Sequence, residues 1–426
     1  MTTVEKIQSE FSDRNWSEKT FEELFSFLIT GTKSRSDLSP YGDIGYIHYG
    51  DIHAKWNLIV NCDNEEIPKI SKKKVKNLPL LKEGDLILAD ASEDYVGIGA
   101  CILLKNIKNK KIVSGLHTIL LRSDNTKISF DYSAYLTSIK KVKDQLVSIA
   151  TGTSVYGLSK NKIKKVKVYL PNDVTEQSLI AKIISDIDEL IVQLNHIITK
   201  KKNIKQGTMQ EILTGNKRLK GFSGKWETEF LEKIGEISGA GVDKKIKSGE
   251  TPVRLVNYLD VYNWDFIYSK YQNHHVTASA LQAFRCEVKQ GDVFFTPSSE
   301  IRTDIGVSAI AMEDIPDAVY SYHVVRLRLF QDWDIKFRNY IFKTRYFLNQ
   351  CETICEGSGT RYVITLKKFR KLKIKYPKDP KEQSAISQLL YDIDLEIKEL
   401  QKIKNKYIMI KNGMMQKLLT GEIKIT

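Results

Sequence analysis

Two stretches of the chain carry apolar residues at alternating spacings of four and three. In the first they are Ile180, Ile184, Ile187, Ile191, Leu194 and Ile198; in the second they are Ile386, Leu390, Ile393, Ile397 and Leu400. That alternation keeps a narrow stripe in register along a helix and asks for a partner helix rather than a broad core face. Start signals precede both stripes. Asp173 followed by Glu176 fits a capping box, and Asp379-Pro380-Lys381-Glu382 adds a proline at the first helical position. Two helices of equal phase in one chain pair most simply with each other; packing of each on its own domain is the plainer alternative. A length of roughly 30 to 35 residues gives each helix about 45 to 50 Å.

Ahead of each helix the pattern changes. From about residue 15 to 157, and again from about 225 to 364, short β-rich runs are broken by Gly, Asn, Asp and Lys turns, as in Asp85-Leu-Ile-Leu-Ala89 and Ser321-Tyr-His-Val-Val-Arg-Leu-Arg328. The second half repeats the first. Residues 171–215 align without a gap on 377–421, with roughly half the positions identical, and both blocks close on Leu-Thr-Gly. Shorter matches lie upstream: Leu81-Lys-Glu-Gly84-Asp85 with Val288-Lys-Gln-Gly291-Asp292, and His117-Thr-Ile-Leu-Leu-Arg122 with His323-Val-Val-Arg-Leu-Arg328. Between these islands the halves differ, as expected of one scaffold carrying two different recognition surfaces. The division predicted is 1–157 and 216–364 for the mixed domains, 158–215 and 365–426 for the helical regions.

Charge and cysteine content narrow the setting. Against 52 Asp+Glu stand 66 Lys+Arg, a net charge of +14, which suits a polyanionic partner. No run approaches the ~20 apolar residues of a membrane span. The opening Met1-Thr-Thr-Val-Glu-Lys-Ile-Gln-Ser-Glu10 lacks the charged-then-apolar run of a signal peptide. The five cysteines suggest neither a disulfide framework nor a zinc site, although Cys351 and Cys355 share a helical spacing. A cytoplasmic protein with reduced thiols and no metal is expected.

At this point the chain resembles the specificity subunits of Type I restriction-modification enzymes, over nearly its whole length. The resemblance rests on the order, twice over, of a variable domain and a helical region opening with Pro-x-x-x-x-Glu-Gln, at Pro171 to Gln177 and Pro377 to Gln383. It rests also on the Gly-Asp strands at Gly84-Asp85 and Gly291-Asp292, and on the small polar loops Ala150-Thr-Gly-Thr-Ser154 and Gly357-Ser-Gly-Thr-Arg361. It implies an α+β fold. Two mixed α/β target recognition domains would be separated by two long helices that pair as an antiparallel coiled coil, with a pseudo-twofold internal repeat. It implies a non-catalytic subunit that binds double-stranded DNA at an asymmetric bipartite site, one half per domain, the paired helices setting the gap. Its partners would be two copies of the modification (methyltransferase) subunit and the restriction (translocase and endonuclease) subunits. S-adenosylmethionine, ATP and Mg would be held by those partners only.

The motifs of an enzyme are missing or broken. No Pro-Pro pair exists to build the Asn/Asp-Pro-Pro-Tyr/Phe loop of an amino-methyltransferase. Gly97-Ile-Gly99-Ala-Cys-Ile102 has isoleucine where a dinucleotide fingerprint needs its third glycine, so a tight strand or turn is expected. Gly152-Thr-Ser-Val-Tyr-Gly157 has phosphate-loop spacing but continues as Leu158-Ser159. Glu396-Ile-Lys398 has nuclease-like spacing but falls on a seam-bearing helix. A self-sufficient DNA enzyme is thus one rival reading, and a coiled-coil adaptor without sequence-specific DNA binding is the other.

DNA contacts need cations and short donors for phosphate, and side chains that reach base edges. In the first domain the candidates are Lys33, Ser34 and Arg35, the run Lys72, Lys73 and Lys74, and the loop of Thr151, Gly152, Thr153 and Ser154 with Tyr156 beside it. In the second they are Lys244 and Lys245, then Ser298, Ser299, Arg302 and Thr303, then Ser358, Gly359, Thr360, Arg361 and Tyr362. Lys200-Lys201-Lys202 is assigned to the helix surface or a partner. Trp56, Trp264 and Trp333 are expected to pack inside their domains, and His117 and His323 to serve the scaffold.

Overall fold

The computed structural model describes residues 15–56 and 58–423. The opening ten residues, on which the absence of a leader was read, lie outside that range. Two compact units divide the chain: residues 195–402 form one, and residues 1–194 with 403–426 form the other. Each long helix therefore contributes a half to each unit.

Both units are built around the same five-stranded sheet. The first holds a five-stranded sheet in the order Phe25–Leu28, Thr118–Ser123, Leu86–Ala89, Cys101–Lys105, Leu58–Asn61, antiparallel except for its last pair. The second repeats this with Gly235–Ser238, Val325–Leu329, Val293–Phe295, Ser308–Ala311 and Phe266–Ile267. Central strands are apolar at every position because both faces are covered. Leu86 and Leu88 enter one core and Ile87 and Ala89 another; Val293 and Phe295 are likewise split from Phe294.

The residues repeated between the halves hold this sheet. Gly84 and Gly291 take φ of +80° and +83°, which favours glycine at the turn before the strand. The following Asp85 is 1% exposed and pairs through both oxygens with Arg122, at 2.8 and 2.7 Å. Asp292 and Arg328 repeat the pair at 2.7 and 2.8 Å. The Gly-Asp motif and the His-x-x-x-x-Arg motif are thus two ends of one clamp. Gly99 opens the turn into Cys101–Lys105, so the broken dinucleotide fingerprint is a strand entrance. Cys351 and Cys355 both lie in the apolar core of the second unit, and burial pushes the Cys351 thiol up to about 12.

The long helices run over Val174–Ile212 and Pro380–Leu419, 39 and 40 residues, longer than their stripes suggested. Their last turns do the extra burying: Leu418 and Leu419 join the first unit's core, and Ile212 and Leu213 the second's. In each unit the helices are antiparallel. Lys201 pairs with Glu396 at 2.5 Å and Lys205 with Asp394 at 2.6 Å in one, Asp188 with Lys411 at 2.5 Å in the other. Ile180, Ile184, Ile386 and Leu390 sit in the domain cores, whereas Leu194, Ile198 and Ile397 are buried further along. Ile187, Ile191, Ile393 and Leu400 are half-buried. Packing on the own domain and pairing with the other helix thus follow one another along each stripe.

Each helix starts differently from the box expected. Asp173 and Asp379 accept from the amides of Thr175 and Lys381, at 2.8 and 2.9 Å. The glutamates turn elsewhere: Glu176 accepts from the Trp16 indole at 3.2 Å, and Glu382 from Trp226 at 3.3 Å and from the Arg218 guanidinium. Gln177 and Gln383 are buried and bind the chain just before them. Their amide nitrogens donate to Pro171 O and Pro377 O at 2.8 Å, while their oxygens accept from Ser129 N at 2.8 Å and Asp334 N at 3.0 Å. The repeated Pro-x-x-x-x-Glu-Gln opening is therefore a joint that fixes helix to domain.

Candidate nucleic-acid interface

In the second unit an open cleft of about 520 Å³ gathers residues from five separate segments. Of the sequence candidates, Lys244, Ser298, Ser299, Thr360 and Arg361 line it. Local pairing brings them together: Ser298 and Ser299 lie opposite Val363 and Tyr362, in a small sheet completed by Glu356–Ser358. Lys245, Arg302, Thr303, Ser358, Gly359 and Tyr362 stand outside the lining. Arg302 is turned away, donating to Glu352 O at 3.0 Å and lying over the Tyr362 ring at 5.9 Å.

Tyr258, Tyr262, Asp304 and His323 also line the cleft, with Leu259 and Ile301 beside them. Tyr258 and Tyr262 are on the helix Tyr258–Asn263, stacked with ring centroids 5.8 Å apart and planes 14° apart. Tyr258 donates to Ser298 O at 3.0 Å, and the Tyr262 hydroxyl donates to Asp304 Oδ2. Glu300 adds a second carboxylate. His323 stands in the turn before its strand rather than within the sheet, contrary to the scaffold role expected of it. Partial burial, with the positive charges of Lys244 and Arg361, holds its imidazole below the usual range. The cleft thus presents cations, carboxylates, small hydroxyls and ring faces side by side.

The first unit brings its candidates together in another way. Lys33 N donates to the Tyr46 hydroxyl at 3.0 Å, and that hydroxyl donates to Lys33 O at 2.8 Å, pinning the loop that holds Ser34 and Arg35. Arg35 is 57% exposed and pairs with Asp51 at 2.9 Å. Lys74 pairs with Asp37 at 2.7 Å, and Asp37 accepts from Ser34 N at 3.2 Å, so the lysine run of Lys72, Lys73 and Lys74 adjoins the arginine loop. The loop of Thr151, Gly152, Thr153 and Ser154 is a closed turn, not a phosphate cradle. Thr151 and Gly157 exchange backbone hydrogen bonds of 3.0 and 2.7 Å, and a Cβ on Gly152 would meet Val155 O at 1.9 Å. Tyr156 packs on Tyr95 with centroids 4.3 Å apart.

Between these loops lies a floor that matches the other cleft. Tyr49 begins the helix Tyr49–Ala54 and meets His117 edge-on at 5.3 Å. His117, 52% exposed, pairs with Asp90 at 3.1 Å, and Leu158 N donates to Asp90 O at 2.7 Å. Burial raises the Asp90 carboxyl, against the pull of His117. Tyr49 and Tyr258 hold equivalent places, as do His117 and His323. The signal for the tyrosines was in the chain. His48-Tyr49-Gly-Asp51 and Asn257-Tyr258-Leu-Asp260 are capping boxes at matching points, and the aspartates bind back to His48 N at 3.3 Å and Asn257 N at 2.7 Å.

Trp56 and Trp333 are buried as expected, whereas Trp264 is 55% exposed and stacks on Tyr271. Of the run Lys200-Lys201-Lys202, Lys201 meets Glu396 of the other long helix and serves helix pairing. No helix among the described residues is long and apolar enough to cross a membrane.

Comparison with known proteins places this architecture. Two Type I restriction enzyme specificity subunits of Methanocaldococcus jannaschii are similar along most of their length. MjaVIII is 25% identical over 383 residues, covering 84% of this chain and 82% of the relative. The putative MjaX subunit is 27% identical over 408 residues, covering 93% and 86%. The S subunit of a Type I system from M. genitalium has the same fold, with a TM-score of 0.54 at 14% identity over 97% of this chain and 98% of that one. A chain from a study of complex assembly and conformational transition in the type I R-M system gives 0.57 at 14% identity, over 96% and 98%. The model of the Type I restriction modification DNA specificity domain matches residues 13–206 and again 224–407. The chain therefore belongs to that family, with the specificity domain present twice.

Proposed function

We propose that this chain selects the DNA site for a Type I restriction-modification system, each domain reading one half of an asymmetric bipartite sequence. One observation carries the reading: a single scaffold occurs twice, and the same face of each copy bears different side chains. Around a shared tyrosine and histidine, Tyr49 and His117 in the first unit and Tyr258 and His323 in the second, that face carries Asp90 and the His53 ring bound to Ala91 O in one copy and the Tyr262–Asp304 pair in the other. A duplicated frame with divergent contact residues suits two different half-sites. The paired helices set the unread gap between them, and they carry two copies of the modification subunit, to which restriction subunits add. Methyl transfer, cleavage and the binding of S-adenosylmethionine, ATP and Mg belong to those partners, and the assembly works in the cytoplasm. Family membership does not favour the adaptor reading.

The test is methylation mapping of genomic DNA from cells that carry an active modification subunit, with and without this chain. A chain-dependent bipartite motif with an unread gap is expected, and exchanging residues 1–157 for those of a relative should alter one half only. An unchanged methylation pattern would overturn the reading in favour of the adaptor.

A further inference from the structure

We infer that the cleft of the second unit reads a cytosine, through its exocyclic amine, with Asp304 as the acceptor held in place by Tyr262. The inference rests on the DNA-reading role proposed above and names what one half of the site contains.

The argument begins from charge. A surface that meets DNA meets a polyanion, and a carboxylate there is repelled unless it faces a donor. Lys244 and Arg361 suit phosphate or guanine, but Glu300 and Asp304 line the same cleft and suit neither. In the major groove of duplex DNA the donors are the amines of cytosine and adenine. Adenine sets an acceptor ring nitrogen beside its amine, which a carboxylate would oppose and an amide side chain would match. Cytosine offers the amine without that acceptor, and an acidic side chain is its natural counterpart.

Asp304 is built for this task in a way that Glu300 is not. The Tyr262 hydroxyl donates to its Oδ2, orienting the carboxylate while leaving most of its acceptor sites free. Tyr262 is in turn stacked on Tyr258, whose hydroxyl is tied to Ser298 O. The acceptor therefore stands on a braced support rather than on a loose loop.

The first unit shows that the pair is no part of the common scaffold. There Gly97 occupies the place of Asp304 and His53 that of Tyr262, in equivalent strand and helix surroundings. His53 Nε2 binds Ala91 O at 2.8 Å, and a Cβ on Gly97 would come within 3.1 Å of the His53 ring. The Ser92 hydroxyl, 2.4 Å from that Cβ, and the imidazole together fill the space, leaving no room for an acidic side chain. A feature present in one copy and closed off in the other is what half-specific reading requires.

The experiment uses the full chain assembled with its modification subunits and DNA carrying the mapped motif. Each cytosine in the second unit's half-site is replaced in turn by 2-pyrimidinone, which lacks the amine, and binding is measured for the wild type and for Asp304→Ala. At one position the wild type should lose roughly 5- to 150-fold in affinity, and Asp304→Ala should lose nothing further there. Asp304→Asn should relax the preference at that same position in methylation maps and leave the other half-site unchanged. Equal losses in wild type and Asp304→Ala at every cytosine, or a half-site without cytosine on either strand, would overturn the inference while leaving site selection intact. A wild type that directs no motif would sink the underlying role instead. The analogue series on the wild type stands even if a variant fails to fold.

Discussion

His323 sits between two cations and is partly buried, and both circumstances oppose its protonation. Its pKa in the free protein lies below the ordinary value of about 6.5, so it is neutral above that pH. Phosphate nearby would favour the charged imidazole and raise the pKa in the complex. Affinity for DNA should therefore rise as pH falls through the complex's pKa, and level off below the free protein's. His323→Gln should flatten that profile in anisotropy titrations between pH 5.5 and 8. A depressed pKa has the opposite effect on folding: the stability it contributes is complete above about 6.5 and is lost as pH falls through the lowered value. The Asp85–Arg122 clamp makes a second prediction. Arg122→Ala leaves a buried carboxylate without its cation, at a cost of about 2–3 kcal/mol, less than for a fully buried pair because the guanidinium is 27% exposed. Urea unfolding would show this as a lower midpoint for the first unit's transition, with the second unit's transition unmoved.

The long helices illustrate what a stripe of apolar residues does and does not announce. Their alternating spacing was legible as a helical seam, and the structure places antiparallel ion pairs beside it in both units, although the first part of each stripe packs on its own domain instead. Their full length was not, because the last turns bury Leu418, Leu419, Ile212 and Leu213 against domains far away in sequence. The glutamates of the start motif were misread for a similar reason: a local box competes with an indole brought in by another strand, and the indole wins in both copies. Gln177 and Gln383 are the parts of that motif most sensitive to change. Each satisfies buried backbone groups on two segments, so Gln177→Leu or Gln383→Leu should cost about 1–3 kcal/mol by leaving them unpaired. Hydrogen exchange should show faster exchange at Ser129 N in the first variant and at Asp334 N in the second. Protection unchanged at both would refute the joint. The candidate contact residues were legible only as loops. Tyr262 and Asp304 are 42 positions apart, and nothing local links them until the sheet forms.

At the scale of the whole chain the two units differ in how they are assembled. Residues 195–402 run continuously through the second unit, whereas the first needs residues 1–194 together with 403–426. The returning segment is structural, because Leu418 and Leu419 are 3% and 2% exposed within the first unit's core. Withholding them removes about 3–6 kcal/mol of apolar burial, at about 1.5–3 kcal/mol for each leucine. That is a large share of the roughly 5–15 kcal/mol by which a domain is stable. A fragment of residues 195–402 should therefore fold cooperatively by itself, since its sheet, its Arg218–Glu382 anchor and both of its helix segments are all inside it. A fragment of residues 1–194 should unfold at lower urea than the same residues do in the full chain, and a peptide of residues 403–426 should restore part of the difference. The continuous fragment also separates reading from spacing. It carries the whole cleft of Lys244, Tyr258, Tyr262, Asp304, His323 and Arg361, so it should prefer its own half-site over a scrambled one, and alterations in the other half-site should leave its affinity unchanged. Loss of all preference in a fragment that still folds would mean that reading needs both units at once.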